Sequence, residues 1–445
     1  MRRLALVTAL SMAAAACAPA PPPAPAAPTA PAPTPAPCAP AAPDRATAPR
    51  DVIELASDAA VPGVVRGRLV LRGGLAASVA LAYRPVGATL DVVEASDASG
   101  PLPLRRERVE GGERLTPERA PAGELTVRWS VKLGADRPKA AAFLPIADPT
   151  ELRVGGADAL VLPELPGPIP AALRVRAGAG LGLGASSFAI GAEADVAERP
   201  EALRAATYLA GALGTATLHA ADGDDLAVWA GFTAFDPRWA AAETASVRTA
   251  VDDWMGAQPS ARRGVTLLVV PERRADAGAG ARLAIRGPLV SVDPRAPWSA
   301  PVRLRVAQTI VQRYVGGVVW VGDRDHEETG AIWSEGFSRA IAGLVLAEAG
   351  TLEPAERAAE LNAMLATVAL SPLGRAPLDA LAKAPDRVEA LRVVTARGAL
   401  AALALDADLA AAKPASSLQR FVRALVAEVA SRKLDAIATA DFLAR

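Results

Sequence analysis

Histidine and cysteine are almost missing: His219, His326, Cys17 and Cys38 are the entire supply of imidazole and thiol in 445 residues. Both cysteines precede the first segment able to fold, so neither a disulfide framework nor a thiolate zinc cluster is available and packing must hold the structure. Two histidines leave little room for a hydrolytic triad, and neither Ser186 nor Ser187 sits in a G-x-S-x-G elbow. The glycine-rich run 178–184 lacks G-x-G-x-x-G spacing, and no P-loop occurs. An excess of charge is missing too. Lys plus Arg and Asp plus Glu number 48 each, which removes any global field for nucleic acid or an anionic membrane face. No nucleic-acid partner is expected, and recognition must be local. Aromatic residues make up only 4% while Ala, Val and Leu abound, a composition that suits a helix-rich α+β protein and says nothing of its chemistry.

What is present begins with an export signal. Residues 1–17, MRRLALVTALSMAAAAC, combine two arginines, a short apolar run and small residues, the layout of a secretory signal and too short to span a bilayer. Ala14, Ala15 and Ala16 before Cys17 resemble a bacterial lipobox, in which the cysteine is acylated and becomes the new amino terminus; alanine stands where leucine is usual. The plainer alternative is an ordinary signal peptide with a chance cysteine. The tether that follows favours lipidation: residues 18–50 are almost wholly Ala, Pro and Thr, which cannot fill a core and favour extended polyproline conformations. Cys38 within it has no evident role. The expectation is an exported protein, lipid-anchored through Cys17 on the periplasmic face or outer membrane of a bacterial envelope, with the membrane as one partner.

Some 395 residues follow, more than one core usually organises. Within 51–168, Leu125, Val127, Trp129, Val131 and Leu133 alternate with polar residues, the pattern of a strand with one buried face, and 65–71, 78–83 and 88–93 are further candidates. A β-sandwich is expected there, with its exit at Leu160–Pro163. Residues 169–445 start with strands at 173–176, 215–220, 226–229 and 265–270, and then turn helical. Val247, Val251, Trp254 and Met255 share one helical stripe, and Leu361, Met364, Leu365 and Val368 another. Leu418, Phe421, Leu425 and Val429 mark a last helix, and 439–443 a short cap beyond it.

The informative stretch is VAQTIVQRYVGGVVWVGDRDHEETGAIWSEGFSRAIAGLVLAEAG, residues 306–350. Gln308 and Gln312 stand one turn apart on a helix, and a second helix opens with Trp333, Ser334, Glu335, Gly336 and Phe337. The arrangement resembles the gluzincin metallopeptidases, in which H-E-x-x-H puts two imidazoles on one helix face and the glutamate of W-x-E-G-F supplies the third zinc ligand. Ordered blocks extend the resemblance over 51–445 and bring it closest to the glycyl aminopeptidases. AVDDWMGAQPSARRGVTLLVVP, 250–271, is similar to the helix and strand before their active site, and ARGALAALALD, 396–406, to a helix near the domain's end. The PDZ domain of many relatives has no counterpart. The resemblance implies an α+β fold, an amino-terminal β-sandwich followed by a thermolysin-like, mainly helical peptidase-type domain.

Carried over position by position, the same resemblance implies a lost active site. Gln308 and Gln312 stand at the two histidine positions and Thr309 at that of the general-base glutamate; only Glu335 is retained. The interval from Gln312 to Glu335 is about four residues longer than the shorter gluzincin spacing. Carboxamides bind zinc poorly, and threonine is no base near neutral pH. Gly278 to Arg282 offer no glutamate where relatives hold the substrate amine, and Val393, Val394 and Thr395 offer no oxyanion tyrosine. No metal and no cofactor is therefore expected, and the old cleft is left to bind a peptide or envelope protein, or to serve structure or regulation. The rival reading is an active metallopeptidase with a metal site rearranged around Glu335 and His326. His326 lies in DRDHEE, 323–328, which as a charge run is more simply a solvated loop. His219 reads as a packed or edge residue of a strand, and Glu335 itself as a capping or surface carboxylate if its role is structural.

Overall fold

A computed structural model of the chain describes residues 50–72, 79–134, 143–180, 182–257, 263–272, 280–322, 330–413, 416–432, 436–438 and 442. The signal peptide, Cys17, Cys38, the tether before Arg50, the DRDHEE cluster with His326, and the expected cap apart from Phe442 lie outside them.

The amino-terminal layer is built from β1 (Asp51–Ser57), β2 (Val64–Leu71), β3 (Ala88–Asp97), β4 (Leu125–Leu133), β5 (Ile169–Arg176) and β6 (Glu193–Glu198). They form one sheet in the order β6-β5-β1-β2-β4-β3, with Gly100–Pro101 as a seventh, edge strand. The alternation in β4 works as expected: Leu125, Val127, Trp129 and Val131 are buried. Two four-stranded sheets, including Leu81–Tyr83, Leu152–Gly155 and Thr207–Gly211, share the same core. Trp129 lies over Gly67, its partner across β2 and β4, where a Cβ would meet the ring at 2.0 Å. Its Nε1 donates to Ala159 O at 2.7 Å, so the indole is both packed and satisfied.

This layer does not end where the sequence suggested. Leu162–Pro163 pairs with Leu81–Tyr83 instead of leading out, and β5 runs parallel to β1 in the main sheet. The first core reaches Ala210, past the expected boundary between 168 and 169. The reason is non-local: ELPGP, 164–168, reads as punctuation, whereas the partner that recruits β5 is β1, at the far end of the layer.

The second half opens with β7 (Leu213–Leu218), β8 (Asp225–Ala230), β9 (Thr266–Pro271), β10 (Gly280–Ala284) and β11 (Gly287–Val292). Their order is β7-β8-β9-β11-β10, which leaves β10 at an edge. Gly214 and Trp229 repeat the glycine-under-tryptophan pair, at 2.1 Å. The main helices are α1 (Pro237–Met255), α2 (Ala300–Val311), α3 (Ser338–Glu348), α4 (Pro354–Leu370), α5 (Arg387–Ala412) and α6 (Leu418–Arg432), with a π-helical turn at Ile332–Phe337 leading into α3. α1 starts on an Asp236 cap followed by Pro237 and stops at Gly256 with φ 67°. Its Val247, Val251, Trp254 and Met255 are buried, as are Leu418, Leu425 and Val429 of α6. The stripe on α4 is narrower than expected: Met364 is buried, but Leu365 is 53% exposed because the helix packs by one edge only.

Two devices fix the elements that carry the site. The π turn crosses α5 at Gly336 and Gly398, where a Cβ on Gly336 would lie 2.5 Å from Gly398 Cα, so main chain rests on main chain. The turn after α2 is tied to α1 by Tyr314, whose hydroxyl donates to Asp252 Oδ1 at 2.6 Å. Asp252 belongs to a buried network in which Arg248 also pairs with Asp222 and Asp225.

Candidate functional site

Gln308 lies on the last turn of α2 and Gln312 caps its end, so the two side chains leave the helix on one face. That face meets the π turn. Gln308 Nε2 donates to Glu335 Oε2 at 2.9 Å and to Glu335 O at 3.1 Å, and Gln312 Nε2 donates to Ser334 O at 3.2 Å. The wider π turn leaves carbonyls open to such outside donors, and Ser338 Oγ also donates to Glu335 O, at 3.0 Å. The turn is anchored from behind by Trp333, whose Nε1 donates to Val319 O at 2.7 Å and whose ring packs on Phe337 at 4.9 Å. Thr309 is buried and its hydroxyl donates back to Val306 O at 2.7 Å.

These residues form the floor of a cleft of about 540 Å³. One wall is the edge strand β10, through Ala281, Arg282 and Leu283; the opposite wall is the start of α5, through Arg387, Leu391 and Val394. Burial pushes the Glu335 carboxyl above the usual carboxylate range, although the Arg305 charge, the Gln312 and Gln308 amides and Arg339 all pull the other way. Burial likewise pushes Arg305 below the usual guanidinium range, helped by the neighbouring Arg339 and opposed by Glu335 and Glu360.

The supporting positions are also apolar or occupied elsewhere. Val393 to Thr395 lie within α5; Val394 faces the cleft and Thr395 Oγ1 donates to Leu391 O at 2.8 Å. The chain's three tyrosines are committed: Tyr83 to Asp158 O at 3.1 Å, Tyr208 to Leu203 O at 2.9 Å and Tyr314 to Asp252. Of the Gly278–Arg282 run, the part on β10 reaches the cleft with Ala281 and Arg282, while 278 and 279 lie outside the described residues. His219 follows β7 at the sheet edge, exposed, with Nδ1 3.0 Å from Asp224 Oδ1.

A gluzincin zinc does not fit the residues present. Gln308 has its Oε1 toward the Arg305 guanidinium at 3.2 Å and its Nε2 toward a carboxylate, which fixes the amide with its donor group, not its lone pairs, aimed at Glu335. The bonds that would run to a cation run between side chains instead. Among the described residues no group of three His, Cys, Asp or Glu is placed to hold a metal ion.

Reading the sequence for a metal motif overlooked Arg305 and Trp320, which also line the cleft. Arg305 stands three residues before Gln308 and so shares its helix face, and that spacing was the available signal.

The fold that frames this cleft has solved counterparts. An aminopeptidase N family protein from Idiomarina loihiensis matches with a TM-score of 0.66 and 13% identity, over 85% of this chain and 70% of that one. An M1 zinc metallopeptidase from Deinococcus radiodurans matches with a TM-score of 0.52 and 15% identity, over 89% of this chain and 88% of that one. The chain therefore shares the fold of these solved structures, α+β with an amino-terminal β domain. No protein-family model matches the sequence, and no curated protein matches it.

Proposed function

We propose that the chain is an exported lipoprotein, held at the envelope membrane by an acylated Cys17, whose aminopeptidase-like cleft binds peptide without hydrolysing it. The observation that carries the loss of catalysis is the Gln308 amide, hydrogen-bonded to Glu335 where a metalloenzyme would join helix to glutamate through a cation. Thr309 supplies no base, and no tyrosine hydroxyl reaches the cleft. The cleft itself persists, with a polar floor and walls that mix apolar residues with Arg282 and Arg387, suited to an extended chain lying along the edge strand β10. The narrower kinship with glycyl aminopeptidases rests on the sequence blocks at 250–271 and 396–406 alone.

The decisive measurement is metal content together with turnover. Purified protein is expected to carry no stoichiometric zinc and to leave aminoacyl and peptide substrates intact. One zinc per chain, with hydrolysis blocked by a chelator, would overturn the proposal in favour of a rearranged site that includes His326. The anchor is tested separately by fractionation. Among the described residues no helix is long and apolar enough to cross a membrane, so Cys17→Ser should release the processed protein from membranes; retention after signal cleavage would refute lipidation.

A further inference from the structure

The walls and floor of the cleft differ in charge. Glu335 is the sole acid among its described lining residues, whereas Arg282, Arg305 and Arg387 all line it. Glu335 is already engaged by Gln308, and Arg282 and Arg387 have partners of their own, the latter through Ala382 O. Arg305 is different. Its guanidinium carries five N–H donors, and among the described residues it makes one hydrogen bond, to Gln308 Oε1 at 3.2 Å. Trp320, on the same cleft, keeps a buried Nε1–H that finds no acceptor among the described residues. The free Arg305 donors open onto a confined, cationic site that favours an acceptor, and the buried Trp320 donor is costly while unpaired. An ammonium group entering here would face three guanidinium groups and a carboxylate already in use. Beside these donors the rim is apolar, with Leu391 50% and Leu283 38% exposed.

We infer that the ligand of this cleft is a peptide bearing a carboxylate, which Arg305 receives through paired N–H donors while Leu283 and Leu391 take the apolar side chain next to it. The inference rests on the proposed peptide-binding reading and specifies its ligand. The carboxylate belongs either to a free carboxyl terminus or to an Asp or Glu side chain. Either would add the second charge that makes an arginine fork strong and directional.

The test is calorimetric titration of the full processed chain with three tetrapeptides of alternating Ala and Leu. One has a free carboxyl terminus, one is amidated, and one is amidated with Asp in place of an internal residue. The expected result is that at least one carboxylate peptide binds and that the neutral amide binds about tenfold more weakly or worse, the worth of one charge-assisted pair. Preference for the free terminus over Asp, or the reverse, tells which source the site takes. Arg305→Leu should abolish that preference, and Arg305→Lys should restore only part of it. Because Arg305→Leu risks misfolding, Glu335→Gln supplies an independent arm: removing the only acid among the described lining residues should tighten carboxylate binding several-fold. Equal binding of the neutral and carboxylate peptides would overturn this inference and leave the peptide-binding reading standing. No binding of any of the three would overturn both.

Discussion

Carboxylates held in turns of the amino-terminal layer behave in the opposite way to those buried in the second half of the molecule. In the amino-terminal layer, Asp58 accepts from Ala60 N at 2.8 Å and Val61 N at 3.2 Å, and these bonds, with Arg66, hold its pKa below the usual range. Burial pushes Asp148 upward, but the Thr150 amide and hydroxyl and the Glu151 amide outweigh it and leave the pKa lowered. In the second half, burial raises Glu335, Glu243 and Asp225 despite an arginine near each. Burial acts against both groups and is deeper for the second. The number of preorganised backbone N–H groups aimed at the acid differs as well: two at Asp58 and at Asp148, one at Asp225 and none at Glu335 or Glu243. The turns of the β layer thus use Asp58 and Asp148 to stabilise the fold, although burial raises Asp51 there, while the cleft keeps Glu335 at a cost.

The comparison breaks most visibly at the core of the β layer. Trp129→Ala removes the ring over Gly67 and leaves the Ala159 carbonyl without its indole donor, so a loss of about 3–5 kcal/mol is expected in urea denaturation. A loss under about 1 kcal/mol would mean the pair is ornamental. Next in size, Gly336→Ala forces the π turn off α5 and should cost about 1–3 kcal/mol. An unchanged denaturation midpoint would show that the crossing has slack.

The smallest effects are those of pH, and they sharpen the contrast because their signs oppose. A lowered pKa stabilises the fold above the unfolded value, and that contribution is lost as pH falls through the folded value; Asp148→Asn should therefore destabilise at neutral pH and matter progressively less in acid. A raised pKa does the reverse: its contribution is present below the unfolded value and lost as pH rises through the folded one. Glu335→Gln should accordingly match the parent in acid and exceed it in stability at neutral pH. Parallel slopes for the two variants would erase the distinction between the halves.

Much of the fold was legible locally. Strict alternation in 125–133 and the stripe of Val247, Val251, Trp254 and Met255 each depend on one element burying one face, and both were read correctly. The domain boundary was not legible, since ELPGP carries turn chemistry while β5 is claimed by β1 across a long sequence gap. In the site, Gln308, Gln312 and Glu335 were brought together because helical spacing and the WSEGF signature fix their faces. Arg305 escaped notice for the opposite reason. Nothing in a one-dimensional pattern says that a charged residue amid Val302, Leu304 and Val306 looks into a cleft and not into solvent.

The crossing of Gly336 on Gly398 separates what can drift from what cannot. The position of Glu335 is set there by main-chain atoms in contact, which every substitution elsewhere in the two elements leaves in place. The groups that give the cleft its chemistry are side chains, each exchangeable by a single codon. An exchange of one cleft side chain for another can therefore leave this frame intact, whereas a larger residue at either glycine forces the frame itself to be rebuilt.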